Sequence, residues 1–179
     1  MTQTAAVSRP SAAARSAERL TAELDGDFVV FLIGMQINRP WKVGSWLPVA
    51  MAMPRMLREL AQQPELGCLA SWGSGLSVIQ YWRSAEQLQA YAHAQSQQHL
   101  PAWREFNRRA RTAAGDVGIW HETFRVRAGE YETIYVGTAP RGLGQAGRLL
   151  PASGRRSSAA GRLQGAATSA SENPAPASL

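Results

Sequence analysis

One short run of the sequence, residues 115–124, places a histidine, a carboxylate and a tryptophan next to one another in a segment typical of a β-strand. Because strand side chains alternate between two faces, His121 and Thr123 share one face, and Trp120 and Glu122 share the other. Burying ionisable groups among large apolar side chains costs free energy unless partners are supplied. The run therefore favours a pocket over simple packing, and by itself leaves the chemistry of that pocket open.

The elements that must position this strand follow the order β-α-β-β-α-β, with one further short strand. We predict strands over residues 28–37, 67–72, 76–82 and 117–126, helices over residues 45–63, 84–96 and 101–114, and an edge extension over residues 130–136. Pro54 is expected to bend or restart the first helix. The order predicts an α+β fold of the ferredoxin-like βαββαβ type, with an antiparallel sheet and helices on one face.

The other face of this sheet needs a cover. Phe28, Val30 and Leu32 fall on the face opposite the helices and are too apolar to remain in water. A second copy of the chain commonly covers such a face. We therefore expect a homodimer, with a cavity between each sheet and the elements that cover it.

The composition divides the chain into three parts. Residues 1–24 and 138–179 are rich in small and polar residues and are predicted to be mostly disordered tails, whereas residues 25–137 form the predicted domain. That domain holds eleven Lys or Arg and ten Asp or Glu, a net charge of +1, so the tails contribute the other +5 of the total of +6. This balance argues against specific nucleic-acid binding, which needs positive charge concentrated on the folded surface.

Location is predicted from cysteine usage and apolar runs. Cys68 is the single cysteine, which excludes an intrachain disulfide and fits a reducing compartment. No apolar run reaches the length of a membrane span, and the first residues lack the apolar core of a signal peptide. We expect a cytoplasmic protein.

Four sequence blocks resemble those of the DUF4188 group, also called the monooxygenase af470-like family. They are residues 46–56 (WLPVAMAMPRM), 80–84 (QYWRS), 99–103 (HLPAW) and 118–123 (GIWHET). The resemblance extends over about residues 25–147 and implies a dimeric α+β barrel fold like that of antibiotic biosynthesis monooxygenases. That superfamily includes cofactor-free oxygenases, haem-degrading enzymes and members without established catalysis.

A cofactor-free oxygenase of this kind would oxidise a small apolar or aromatic substrate with oxygen, without flavin or nicotinamide. It needs a base near neutrality, donors for an oxyanion and a cavity that excludes water. His121 is the candidate base, although a His121 satisfied by a backbone carbonyl is an equal alternative. The remaining candidates are Glu122 and Asn38 as catalytic partners, and Arg39, Trp41, Tyr81, Trp82 and Trp120 as substrate-binding residues.

Two alternatives stay open. The resemblance to haem-degrading relatives implies Asn38 near the first strand, His99 as the haem ligand and Tyr91 on the second helix. The other alternative is a non-catalytic protein of the same fold that binds a ligand. No zinc spacing, phosphate loop or nucleophile elbow is present in the sequence.

Overall fold

The β-branched run near the start of the chain forms the central strand of the main sheet in the computed structural model of the protein. The structure describes residues 18–93 and 101–164. The main sheet is antiparallel and consists of β2 (Phe28–Ile37), β3 (Cys68–Ser74), β4 (Ser77–Trp82) and β5 (Val117–Val126). Its strand order, β3-β4-β2-β5, is that of a ferredoxin-like fold and confirms the predicted α+β class.

Three helices pack on one face of this sheet, α1 (Val43–Ala61), α2 (Ala85–His93) and α3 (Pro101–Thr112). The largest group of buried side chains lies between them and the sheet, with Val29, Val49, Leu60 and Trp82 among its members. The odd positions of β2 point into this core, as the alternation predicts. The Ser84 hydroxyl accepts a hydrogen bond from the Gln87 backbone N–H at 3.2 Å and so caps the start of α2.

Of the two predicted effects of Pro54, a bend or a restart of the first helix, the restart is wrong. Helix α1 runs without a break through both Pro48 and Pro54. A proline inside a helix removes one hydrogen bond, but Met53 and Met56 are buried on either side of Pro54. The packing of that apolar stripe outweighs the local cost.

Ordered structure extends beyond the predicted domain, residues 25–137, at both ends. A second antiparallel sheet in the order β6-β1-β7 is formed by β1 (Arg19–Glu23), β6 (Tyr135–Val136) and β7 (Arg148–Pro151). The described part of the C-terminal region also contains α4 (Leu143–Ala146), α5 (Ala159–Gln164) and a 3₁₀ helix (Gly154–Ser157), and a further 3₁₀ helix (Pro64–Leu66) follows α1. Only the last two residues of the predicted extension, residues 130–136, form a strand.

The second sheet covers part of the face that we expected a partner subunit to cover. Phe28 is buried there against Ala22 and Leu143, and Val30 and Tyr81 pack on the same cluster. The remainder of that face, which we call the far face, carries β5 side chains that stay exposed in the single chain. Trp120 is 40% exposed and Phe124 is 50% exposed.

The start of β5 is fastened to the start of α1 by Asp116. Its carboxylate accepts hydrogen bonds from the Ser45 hydroxyl at 2.9 Å, from the Lys42 ammonium at 3.1 Å and from the Arg39 guanidinium at 2.9 Å. The helix begins at Val43, two residues before the predicted start at residue 45, and the Ser45 hydroxyl donates to Asp116. The Ser45 hydrogen bond, followed by that of Lys42, holds the pKa of Asp116 below its ordinary value.

Asp116→Asn is therefore expected to destabilise the protein in a pH-dependent way. A lowered pKa in the folded state contributes stability that is present above the unfolded value of about 3.9 and is lost as the pH falls through the folded value. Urea unfolding should be measured from pH 7 to pH 3. At pH 7 the free energy of unfolding should be lower in the variant than in wild type, and this difference should shrink below about pH 4. The exposed carboxylate of Glu65 provides the control, Glu65→Gln, and a constant penalty for Asp116→Asn at every pH would contradict the role of its charge.

Candidate functional site

A cavity of about 950 Å³ lies between the main sheet and helices α2 and α3. This volume falls in the range of ligand pockets, about 300–1,000 Å³. One wall is the helix-facing side of β5, which contributes alternate residues: Val117, Ile119, His121, Thr123 and Arg125. The cavity therefore lies on the helix side of the sheet, whereas we predicted it on the side of the dimer partner.

Most of the remaining lining is apolar. Phe31 and Ile33 come from β2, Met56 from α1, Leu88 from α2 and Phe106 from α3. The alternation of β2 and the amphipathic pattern of each helix place these side chains in the layer between the sheet and the helices. The cavity thus adjoins the main core, and its β5 wall is exposed at His121, Thr123 and Arg125.

His121 lies in the middle of the β5 wall. It pairs in register with Ile33 of the neighbouring strand, and its imidazole lies against the Phe31 ring with 5.6 Å between the ring centroids. It is the one imidazole among the described residues that line the cavity. A histidine beside an aromatic ring in an apolar cavity is suited to accept or return a proton from a bound molecule.

Gln80 is the second polar group in this region and is almost completely buried, at 1% exposure. Trp82, two residues along β4 on the same face, donates a hydrogen bond from its indole Nε1 to Gln80 Oε1 at 2.9 Å. That bond fixes the amide and occupies its oxygen. The amide N–H groups of Gln80 are then the donors that it offers to the cavity.

Tyr91 of α2 also lines the cavity and packs on Trp82, with ring centroids 5.2 Å apart, and its hydroxyl oxygen is buried. Burial raises the pKa of the Tyr91 hydroxyl well above its ordinary value, and the charge of Glu59 adds to the effect. Tyr91 therefore stays protonated at neutral pH.

The structure separates His121 from the other predicted catalytic residues. Glu122 lies on the far face, opposite Leu32, as its adjacency to His121 requires. Asn38 and Arg39 follow the end of β2, where their backbone amides bond to the Asp116 carbonyl. None of these three lines the cavity within the described part of the chain.

The predicted aromatic walls are likewise elsewhere. Trp41 is 74% exposed, and Trp82 is fully buried in the core. Trp120 lies on the far face over Gly34, where a Cβ atom would collide with the indole. Tyr81 packs on the same side of the sheet against Gly142, where a Cβ atom would lie 2.7 Å from the Tyr81 hydroxyl oxygen. His99 lies outside the described residues.

Sequence reasoning missed Gln80, Thr123 and Arg125 as lining residues, although two signals were present. Thr123 and Arg125 share the parity of His121 along β5, so they point to the same side of the sheet. Gln80 shares the parity of Val78 and Trp82, two apolar residues of a core strand. A polar residue at a core-facing position is the unusual observation that indicates a site.

Metal clusters and membrane spans are both absent from residues 18–93 and 101–164. In that part of the chain, no group of three or more His, Cys, Asp or Glu side chains could hold a metal ion. No helix there is long and apolar enough to cross a membrane.

Burial raises the pKa of the Cys68 thiol to about 12, so the thiol is un-ionised at neutral pH.

The fold and the cavity define a ferredoxin-like α+β protein with a ligand-sized space between its sheet and its helices. Residues 28–143 match the family described as Monooxygenase af470-like, and the chain belongs to this family. A curated relative, "Monooxygenase af470" of Aspergillus fumigatus, is 30% identical over 134 residues, which cover 67% of this chain and 46% of the relative. The chain thus spans about half the length of that relative.

Proposed function

We propose that the chain is a monooxygenase that oxidises a small apolar or aromatic metabolite with molecular oxygen, without flavin or nicotinamide. The observation that carries the proposal is the position of His121 inside an otherwise largely apolar cavity of about 950 Å³. Membership of the monooxygenase af470-like family supports the reaction class.

His121 would act as the general base on an acidic C–H or O–H group of the bound substrate. Deprotonation leaves an electron-rich carbanion or phenolate that can transfer an electron to oxygen. The amide N–H groups of Gln80 would stabilise the developing oxyanion. The apolar lining would limit water at the reacting carbon.

The reaction balances without an external reductant. A CH₂ group loses one proton to His121, and its carbanion combines with O₂ to form a C–O bond and a peroxide anion. Return of the proton gives a hydroperoxide, which loses water as the second C–H bond breaks and C=O forms. The sum is CH₂ + O₂ → C=O + H₂O, with four electrons passing from carbon to oxygen.

The proposal is tested with purified protein and 1,8-dihydroxyanthrone, an electron-rich phenol whose CH₂ group can become C=O. We expect oxygen uptake above the uncatalysed rate without added flavin or nicotinamide, and one ¹⁸O atom in the product formed under ¹⁸O₂. Absence of turnover with this and other electron-rich phenols, while the same compounds raise the melting temperature, would favour a ligand-binding protein instead.

The haem alternative finds little support in the described residues. Asn38 lies beyond the end of β2 and away from the cavity, and His99 falls outside the described part. Of the described residues assigned to haem, Tyr91 lines the cavity and Asn38 does not. We derive no step through haem.

We also propose that the far face is covered by a second copy of the chain. Trp120 and Phe124 are large apolar side chains on one face of an edge strand, and both are exposed in the single chain. Glu122 separates them along β5. Exposed aromatic side chains grouped in this way are typical of subunit interfaces.

Phe124→Glu is expected to convert such a dimer into a monomer, because the two-fold relation would add a buried carboxylate on each side. Light scattering coupled to size-exclusion chromatography at micromolar concentration measures the mass. Leu163→Glu on α5, where Leu163 is 45% exposed, is the matched control and should leave the mass unchanged. A wild-type protein with the mass of one chain would contradict the proposal.

A further inference from the structure

The charged side chains among the described residues that line the cavity are of one sign. The described residues that line it include two arginines, Arg111 of α3 and Arg125 of β5, and no aspartate or glutamate. With His121 neutral, these side chains give the lining a charge of +2. A cavity that is otherwise mainly apolar thus has cationic groups and no acidic group among its described residues.

Other arginines nearby are neutralised, which makes this pair distinctive. Arg108 and Arg109, on the same helix as Arg111, both form ion pairs with Glu105. Arg111 and Arg125 have no ion pair within the described part of the chain. Their guanidinium groups are therefore available to an anion that enters from solvent.

Glu86 is the acidic residue that interacts electrostatically with Arg125. Its carboxylate accepts hydrogen bonds from its own backbone N–H and from Ser84 at the start of α2, and these hold its pKa below the ordinary value. The carboxylate is thus engaged at the helix start. It does not form an ion pair with Arg125.

Arg125 and His121 share one face of the same strand. Four residues along a strand place their Cα atoms about 13 Å apart. Arg111 is in the last turn of α3, near the start of β5. It therefore lies at the end of the wall opposite Arg125. A ligand along β5 would meet Arg125 at one end and His121 near its middle.

We propose that the ligand of this cavity is an apolar acid: a hydrophobic body along β5 with one carboxylate held by Arg125. The inference rests on the proposed function for the role of His121 and adds the class of substrate. Arg125 is the anchor because it stands on a strand that is fixed by ten paired residues of β2. The oxidised carbon then lies next to His121, well away from the carboxylate.

Two fluorescent probes with the same rings test this proposal. They are 8-anilinonaphthalene-1-sulfonate, which is an anion, and N-phenyl-1-naphthylamine, which lacks the sulfonate. Wild-type protein should bind the anion more tightly, and Arg125→Gln should weaken the anion about tenfold and leave the neutral probe within about twofold. Dodecanoate should displace the anion at concentrations where 1-dodecanol does not.

Arg127→Gln is the matched control, because Arg127 follows just beyond the same strand and does not line the cavity. The inference would be overturned if Arg125→Gln bound each probe with the same affinity as wild type. A loss confined to Arg111→Gln would overturn the assignment of the anchor to Arg125. Both outcomes leave the oxygenase proposal standing, because the neutral probe still binds.

Failure of the proposed function has a different signature. Ala110→Trp, on the α3 wall of the cavity, should abolish the binding of both probes, and Ala114→Trp serves the same purpose if the first variant does not fold. If a folded blocking variant binds both probes as wild type does, the cavity is not the binding site. That result would overturn this inference and the proposed function together.

Discussion

Replacing His121 with alanine is expected to slow oxygen uptake by about 10²–10⁴-fold, the usual contribution of a general base. The melting temperature should stay close to that of wild type, because the His121 side chain is exposed in the cavity and no described residue depends on it for a hydrogen bond. The measurement is the initial rate with 1,8-dihydroxyanthrone, corrected for its uncatalysed oxidation.

Two controls separate catalysis from general damage to the protein. His93→Ala removes an imidazole at the end of α2 that does not line the cavity, and its rate should equal that of wild type. Glu122→Gln changes the neighbouring carboxylate on the far face and should also be neutral in the rate. Full activity of His121→Ala would remove His121 as the base.

The order and type of the main elements could be predicted because each one has a strong local pattern. Three such patterns are the apolar alternation of β2, the cap at Ser84 and Pro101 at the start of α3. Each depends only on residues close in sequence, and each agrees with the folded structure. The path of α1 through Pro54 could not be predicted, because it depends on packing against strands distant in sequence. The second sheet was missed for a related reason, since β1 and β7 are only five and four residues long and pair with strands distant in sequence.

The site was predicted less well than the fold. Alternation alone placed His121 and Glu122 on opposite faces, but it did not determine which face met the helices. The register of β5 with β2 determines this, since Ile33 of the core faces the same side as His121. The tryptophans were misplaced because ring size indicates burial and not a position beside a ligand. The buried Gln80 was the more informative residue.

Replacing Trp82 with alanine is expected to lower the free energy of unfolding by about 3–5 kcal/mol, the usual cost of deleting a buried tryptophan. Trp82 is fully buried, packs on Tyr91 and donates its indole N–H to Gln80. Urea unfolding followed by circular dichroism measures the change. Trp41→Ala, at a residue that is 74% exposed, should change the same quantity by less than about 0.5 kcal/mol.

Trp82→Phe distinguishes packing from the hydrogen bond. The phenyl ring retains much of the contact with Tyr91, but no donor remains for Gln80 Oε1, and an unsatisfied buried acceptor costs about 1–3 kcal/mol. The freed amide should also reorient, so this variant should bind the neutral naphthylamine probe well yet turn over more slowly. If Trp82→Phe is as stable and as active as wild type, the indole does not position Gln80.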